Sequence, residues 1–210
     1  AQDGEFWLSA VYLVVNLLRC NMYIGTVSVQ LGDFPGTPEQ VSFYTTLFVI
    51  ILPVGGLLSI PFVGYLIDTH GTTVSLFGIS ITGTIHGILS LLVIFPIEIQ
   101  LGSFVCVALF RALLFSAITT YFFSRYGEKR FGVVFGIAAF LAGLGNLSEY
   151  FLVRMVLNQL DGHFFWVNLV LLVVELLLFS FPVYLRMKEK EEEREREEKR
   201  KMEAQYYQWN

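Results

Sequence analysis

The stretch GYLIDTHGTTV, residues 64–74, is polar and contains two glycines, although it lies between two long apolar runs. The run before it reads TLFVIILPVGGLLSIPFV, and the run after it reads SLFGISITGTIHGILSLLVIF. A hydrocarbon core about 30 Å thick takes about 20 residues of helix to cross, and each run is long enough. The stretch therefore predicts a turn between two transmembrane helices.

The same pattern extends along the chain, which is 55% hydrophobic and has a mean hydropathy of +0.62. Such values are typical of a membrane protein. Stretches with turn signals, such as GDFPGTPEQ, PIEIQ, SRYGEKR and NQLDGH, separate the apolar segments. We predict an all-α polytopic fold in which residues 1–187 form a six-helix bundle and residues 188–210 a charged helical tail. The predicted spans are 6–31, 43–67, 72–96, 101–124, 131–157 and 164–186.

The charged residues predict the orientation of the chain. Residues 186–203 carry 8 Lys/Arg and 8 Asp/Glu, so the net charge of −4 belongs to the hydrophobic part. With the tail, 11 Lys/Arg fall on one side of the predicted bundle and only Arg154 on the other. Basic flanks stay cytoplasmic, so both termini are predicted to be cytoplasmic, in a plasma or organelle membrane. No basic patch outside the tail suits nucleic acid.

No pattern in the sequence indicates enzymatic chemistry. Cys20 and Cys106 lie in apolar runs and lack the spacing of metal ligands, so we interpret them as buried hydrophobic residues. The sequence contains no arrangement typical of a catalytic triad or a phosphate-binding loop. We therefore expect neither an enzyme, nor a cofactor, nor a metal. The tail aromatics Tyr206, Tyr207 and Trp209 could dock onto a partner, or the tail could simply be solvated.

Charged residues inside the predicted spans are candidates for function, because such charges are costly unless paired or hydrated. Arg19 and Arg111 lie near the middles of spans one and four, Glu175 is central in span six, and Glu149 is nearer the outer end of span five. The arginines either bind an anionic group in an aqueous cavity or pair with the glutamates. Glu149, Glu175 and His86 are candidate proton carriers or ion-pair partners, and His86 could equally be a hydrogen-bonded packing residue.

Gly64, Asp68 and Gly71 fit the G-x-x-x-D-x-x-G skeleton of a loop that is characteristic of the major facilitator superfamily. The chain resembles that family also in the position of the loop, between the second and third helices of a six-helix half. The resemblance implies that the three residues form a conformational-switch loop. The basic residues that the family carries there are replaced by threonines, among them Thr69 and Thr72, so the resemblance does not carry over the ion pairs of that switch.

Longer stretches are similar to the system-L transporters of large neutral amino acids. LLRCNMYIGT and FFWVNLVLLVVELLLFSFPVYL resemble their seventh and twelfth helices, and SRYGEKRFGVVFGI resembles the approach to their eleventh. Apicomplexan amino-acid transporters and an equilibrative nucleobase transporter are related to the same family. The resemblance implies a carrier of two six-helix halves that alternates access to a central site.

In that architecture the first and fourth helices of each half line the cavity. The resemblance therefore implies a substrate site at Arg19, Asn21, Tyr23, Gly25, Thr26 and Arg111. Arg19 and Tyr23 share a helix face, because they are four residues apart.

The chain corresponds to only one half of such a carrier. We therefore expect the carboxyl-terminal half of a facilitative transporter of neutral amino acids, or alternatively of nucleobases, that lies in a lipid bilayer and pairs with a second six-helix half. The alternative is a structural subunit that does not transport and that binds other membrane subunits through its helices and its tail.

Overall fold

The computed structural model describes the backbone of residues 2–209 and the side chains of residues 4–202. The tail aromatics Tyr206, Tyr207 and Trp209 therefore have side chains outside the described residues. The described chain is helical, with a short 3₁₀ turn at Ile97–Ile99 before α3. The α-helices are α1 Gln2–Leu31, α2 Pro38–Leu91, α3 Gln100–Tyr126, α4 Glu128–Asn146, α5 Ser148–Gln159, α6 Phe165–Leu178 and α7 Ser180–Trp209.

Helix α2 begins with a capping box that the letters TPEQ encode. The backbone N–H of Gln40 donates to Thr37 Oγ1 at 3.3 Å, and the backbone N–H of Thr37 donates to Gln40 Oε1 at 2.8 Å. Pro38 occupies the first turn, where its missing N–H costs no hydrogen bond. The helix therefore begins at Pro38, earlier than residue 43 as predicted from hydrophobicity.

Helix α2 turns back on itself at Gly71. This residue has φ 83° and ψ 171°, a conformation that is essentially restricted to glycine. The rings of Phe48 and His86 lie 5.6 and 4.4 Å from the ring of Tyr23, whereas a straight helix would separate residues 48 and 86 by about 57 Å. Residues 38–70 and 72–91 are thus two helical arms that lie side by side.

The second arm ends earlier than predicted. It stops at Leu91, and residues 92–96 form a turn, whereas the prediction extended the helix to residue 96. The backbone N–H of Leu92 still bonds to the carbonyl of Leu89. Pro96 follows, and the conformation that proline imposes on the residue before it disfavours a helix there.

The last four helices are joined end to end in two pairs. Leu147 between α4 and α5 and Phe179 between α6 and α7 both keep helical dihedral angles, with φ −61° and −56°. Helix α7 then continues to Trp209 without a break. The helix is therefore continuous at residues 186–188, where the sequence predicts the end of a membrane span and the start of a separate tail.

Five helical stretches within the described residues are long and apolar enough to cross a membrane, and one of them is the broken helix α2. The five stretches are Gly4–Leu31, Pro38–Leu91, Ile97–Tyr126, Glu128–Gln159 and Phe165–Met202. In the most apolar part of α1, 56% of the residues are buried, against 11% in α2 and 11% in α4–α5. Helix α1 therefore lies inside the bundle, while much of α2 and α4–α5 faces outwards.

Close packing of α1 depends on small neighbours. A Cβ added at Gly145 of α4 would collide with Val14 Cγ1, and the side chains of Ala138 and Ala142 are fully buried. Apolar lipid gives helices no hydrophobic drive to associate, so they are held by close van der Waals contact, which small residues permit. On the other side of α1, Tyr12 donates a 3.0 Å hydrogen bond to the carbonyl of Leu76.

The two ends of the bundle are closed by different polar groups. At one end, which we call the terminal end, Glu5 is buried and forms ion pairs with Arg125 and Lys188. At the opposite end, Asp33 accepts hydrogen bonds from His163 Nδ1 at 2.7 Å and from the backbone N–H of Phe164 at 3.0 Å. The start of α1 and the charged part of α7 therefore lie at the same end.

Candidate functional site

Arg19 and Glu175 form an ion pair inside the bundle. Arg19 Nη1 lies 3.5 Å from Glu175 Oε2, and both side chains are buried. Arg19 Nη2 also donates a 2.6 Å hydrogen bond to the carbonyl oxygen of Gly83. A charge at membrane depth is costly unless it is paired, and here each of the two charges compensates the other. The pair joins α1, the second arm of α2, and α6.

Two glycines of α2 make room for this pair. A Cβ at Gly87 would collide with Arg19 Nη2 and would lie 2.9 Å from Leu172 Cδ1. A Cβ at Gly83 would lie 3.3 Å from Glu175 Oε1. The guanidinium group can therefore lie directly against the helix backbone, because both positions lack a side chain.

His86 and Tyr23 belong to a neighbouring buried cluster. His86 Nδ1 is 2.8 Å from Ser103 Oγ, and the His86 ring meets the Tyr23 ring edge to face at 4.4 Å. Tyr23 Oη donates to Gln100 Oε1 at 3.4 Å, and Gln100 in turn donates to the carbonyl of Leu89 at 2.8 Å. This cluster ties α1 and α2 to the start of α3 and is closed to solvent.

A groove of about 630 Å³ separates α1 from α5. On the α1 side it is lined by Gly25 and Thr26, just beyond Asn21, whose Nδ2 donates a 2.9 Å hydrogen bond to Asn146 Oδ1. Because Gly25 has no side chain, Glu149 of α5 packs against its backbone, and Glu149 Oε1 lies 3.0 Å from where a Cβ would be. Glycine thus sets the width of the groove.

The far wall of the groove combines charged and apolar side chains. Glu149 and Arg154 both line it, together with the apolar surfaces of Leu147, Val153 and Leu157. Within the described residues, neither Glu149 nor Arg154 has a hydrogen-bond or ion-pair partner. The groove therefore differs from the buried Arg19–Glu175 pair, because its charges are left uncompensated by the bundle.

Arg111 lies in a second groove. This groove, about 380 Å³ in volume, runs between the first arm of α2 and α3, and Pro53, Gly56 and Phe115 also line it. Arg111 is exposed and forms no ion pair among the described residues.

The structure thus distributes the predicted substrate residues over three places. Asn21, Gly25 and Thr26 are at or in the α1–α5 groove, and Arg111 is in the α2–α3 groove. Arg19 and Tyr23 share a face of α1, but that face is buried and points away from both grooves.

The predicted switch loop coincides with the reversal of α2. Gly71 supplies the positive φ at the turn, while Asp68 is exposed. Thr73 donates a hydrogen bond to Glu189 of α7, which places the loop beside the charged part of α7. A Cβ at Gly64 would meet no atom within 4 Å, so packing around the loop leaves that position open.

Sequence reasoning missed several members of these sites. The sequence patterns identify Arg154 and Arg125 only as charges that orient the chain, and they do not distinguish Glu5 or the two glycines of the Arg19 contact. A signal for Glu5 was present, because an acidic residue just before an apolar span calls for a partner if it is buried. Nothing in the spacing of Gly83 and Gly87 distinguishes them from other glycines of membrane helices.

The fold defines the class of protein. Long apolar helices, one of them doubled back at Gly71, are typical of an integral multi-pass membrane protein. The model of the Major Facilitator Superfamily matches residues 10–208, and the chain therefore belongs to that superfamily.

The chain is also similar to a curated yeast protein. The chain is 28% identical to Protein FMP42 of Saccharomyces cerevisiae over 171 residues, which cover 80% of this chain and 33% of FMP42. The chain thus spans about a third of the length of that relative. No solved structure matches the chain significantly.

Proposed function

We propose that the chain is the carboxyl-terminal half of a facilitative transporter of neutral amino acids that works by alternating access. The α1–α5 groove carries this proposal. It brings a glycine that leaves room beside the α1 backbone, two amides and two uncompensated charges to one surface between apolar helices. Such a surface suits a small polar solute with an apolar side chain, because apolar walls with a few placed polar groups are typical of ligand sites.

The proposal includes six membrane crossings. The start of α1 and the charged part of α7 lie at the same end, which requires an even number of crossings. Counting the two arms of α2 separately turns five apolar stretches into six. The terminal end carries Arg125, Lys129, Arg130 and the basic residues of α7, so it is assigned to the cytoplasm.

The missing partner is a second six-helix half. The least buried helices are the first arm of α2 and α4–α5, which expose apolar residues such as Leu57, Leu58 and Phe140. A site between two halves needs such uncovered surfaces on each half.

The predicted site residues take different roles in this proposal. Asn21, Gly25 and Thr26 border the substrate in the α1–α5 groove, and Arg111 is proposed as a further contact from the separate α2–α3 groove. Arg19 and Tyr23 hold α1 in place through Glu175 and His86. Gly64, Asp68 and Gly71 form the switch loop, and Glu149 is the acidic group that is available to a substrate or a proton.

The test is uptake of radiolabelled leucine by proteoliposomes that contain the complete polypeptide from its source. We expect saturable uptake that falls at least about fivefold in Arg111→Ala and Asn21→Ala at unchanged abundance, because each variant removes one polar contact, worth about 1–3 kcal/mol. Arg130→Ala, at the terminal end, is the control. Uptake equal to that of the control in both variants would refute these site residues.

A second candidate function is a structural subunit that does not transport. The internal Arg19–Glu175 pair favours it, because a bundle that neutralises its own central charges needs no substrate to do so. Native mass spectrometry in mild detergent separates the two. A second half or a longer polypeptide supports transport, whereas stoichiometric binding to unrelated membrane proteins supports the subunit.

A further inference from the structure

We propose that the α1–α5 groove recognises the zwitterionic backbone of an α-amino acid, with its ammonium group at Glu149 and its carboxylate at Arg154. This inference rests on the proposed function and names the chemistry by which that site selects its substrate. It also limits the substrate class to α-amino acids with a free amino and a free carboxyl group, and it excludes nucleobases.

Glu149 supplies the site for the ammonium group. Its carboxylate is half-buried in the groove wall and packs against the backbone of Gly25. It has no hydrogen-bond or ion-pair partner within the described residues. An acid at membrane depth calls for a cation, and the open groove is the direction from which one can reach it.

Arg154 supplies the site for the carboxylate. It lines the same groove and likewise lacks an ion-pair partner among the described residues. A guanidinium group binds a carboxylate through two parallel hydrogen bonds, which fixes both position and orientation. The amide of Asn158, also on the groove wall, lies one helical turn further along α5.

Glu149 and Arg154 line the same groove without pairing with each other. Residues 149 and 154 are five apart on α5, which separates their backbones by a rise of about 7.5 Å and a turn of about 140°, and no ion pair of 4.0 Å or less joins the half-buried Glu149 to the exposed Arg154. A solute that carries both charges can therefore bridge them. Tyr150, Val153 and Leu157 form the adjoining wall, which suits a large apolar side chain better than a charged one.

The experiment compares three solutes as competitors of leucine uptake by the complete polypeptide in proteoliposomes. Leucine has both charges, leucinamide keeps the ammonium and lacks the carboxylate, and 2-hydroxy-4-methylpentanoate keeps the carboxylate and lacks the ammonium. We expect unlabelled leucine to compete at least about tenfold better than either analogue. In Glu149→Gln, 2-hydroxy-4-methylpentanoate should compete as well as leucine does. In Arg154→Gln, leucinamide should compete as well as leucine does.

Glu98→Gln and Arg130→Gln, exposed charges outside the groove, are matched controls and should keep both preferences. A wild-type protein that accepts either analogue as well as leucine overturns the inference, whatever the variants do. The inference is also overturned if the wild-type preference for leucine over both analogues persists in Glu149→Gln and in Arg154→Gln. A wild-type protein without any leucine uptake refutes the proposed function itself, and the inference falls with it.

Discussion

Glu175 and Glu149 are two acidic residues in apolar helices whose surroundings differ. Glu175 is fully buried and lies 3.5 Å from the guanidinium group of Arg19. Glu149 lies on the wall of an open groove and has no charged partner among the described residues. The first is compensated by the fold, and the second is left for something that enters the groove. A charged residue inside a membrane protein has a structural role when the fold supplies its partner, and it is a candidate for function when the fold does not.

The largest effect is expected when one member of the buried pair is removed. Arg19→Ala or Glu175→Ala leaves the other charge buried and uncompensated, which costs about 3–5 kcal/mol. Each single variant should lower the thermal unfolding midpoint and the amount of folded protein in the membrane, measured by fluorescence-detected size exclusion. The double variant Arg19→Met with Glu175→Leu should recover much of the loss. A double variant as unstable as the sum of the two single variants would contradict the pairing.

A smaller effect is expected at two glycines, of which Gly87 lies against Arg19 of the buried ion pair and Gly25 lies against Glu149 of the groove. Gly87→Ala places a methyl group against the Arg19 guanidinium and Leu172, and overpacking of this kind costs about 1–3 kcal/mol. Gly25→Ala meets only the end of the Glu149 side chain at 3.0 Å, which can rotate into the groove. We therefore expect Gly87→Ala to lower the unfolding midpoint and Gly25→Ala to leave it nearly unchanged while reducing uptake. Equal destabilisation by both would break the contrast.

The packing of α4 against α1 gives a third test with a matched control in the same helix. Gly145→Ala introduces a methyl group that collides with Val14, whereas a Cβ at Gly143 meets nothing within 4 Å. Alanine also favours a helix over glycine by about 1 kcal/mol, so Gly143→Ala should stabilise slightly. Gly145→Ala should lose that gain and shift α5, which lines the groove. Equal midpoints for both variants would show that α4 does not approach α1 this closely.

The smallest effect on stability is expected at the unpaired glutamate. Glu149→Gln removes a charge that no residue of the described bundle compensates, so the free energy of unfolding should change by less than about 0.5 kcal/mol. Uptake should nevertheless fall, because the variant loses the proposed ammonium site. Thermal unfolding and uptake measured on the same preparation check both halves of this prediction. Marked destabilisation would mean that Glu149, like Glu175, has a structural role.

The sequence predicted the helices well where apolar runs end at strong breakers. The polar stretch around Gly71 marked the reversal of α2, because glycine alone adopts its backbone conformation readily. The continuation of the sixth span into the charged tail was not predicted as one helix. The sequence changes from apolar to charged there, but no glycine or proline stops the helix after Pro182.

Predicting the sites was harder than predicting the helices. Pairing between the arginines and glutamates was an open alternative, and nothing in the spacing decides whether Arg19 or Arg111 pairs, or with which glutamate. That choice depends on how α1, α2 and α6 rotate against one another, which periodicity within each helix does not specify. The same reason explains why Arg154 was counted only as a charge near a loop.

The central claim is that the α1–α5 groove is open to water and to the substrate and does not face lipid. Tyr150 and Phe151 test it most directly, because they are adjacent and similarly exposed, at 63% and 68%, but only Tyr150 lines the groove. Single cysteines are placed at either position in a protein whose Cys20 and Cys106 have been replaced by alanine, and a membrane-impermeant thiol reagent is applied. Only a thiol that can ionise in water reacts quickly. We predict rapid labelling at position 150 that leucine slows, and little labelling at position 151. Equal labelling at both positions, or labelling at 150 that leucine leaves unchanged, would contradict the claim.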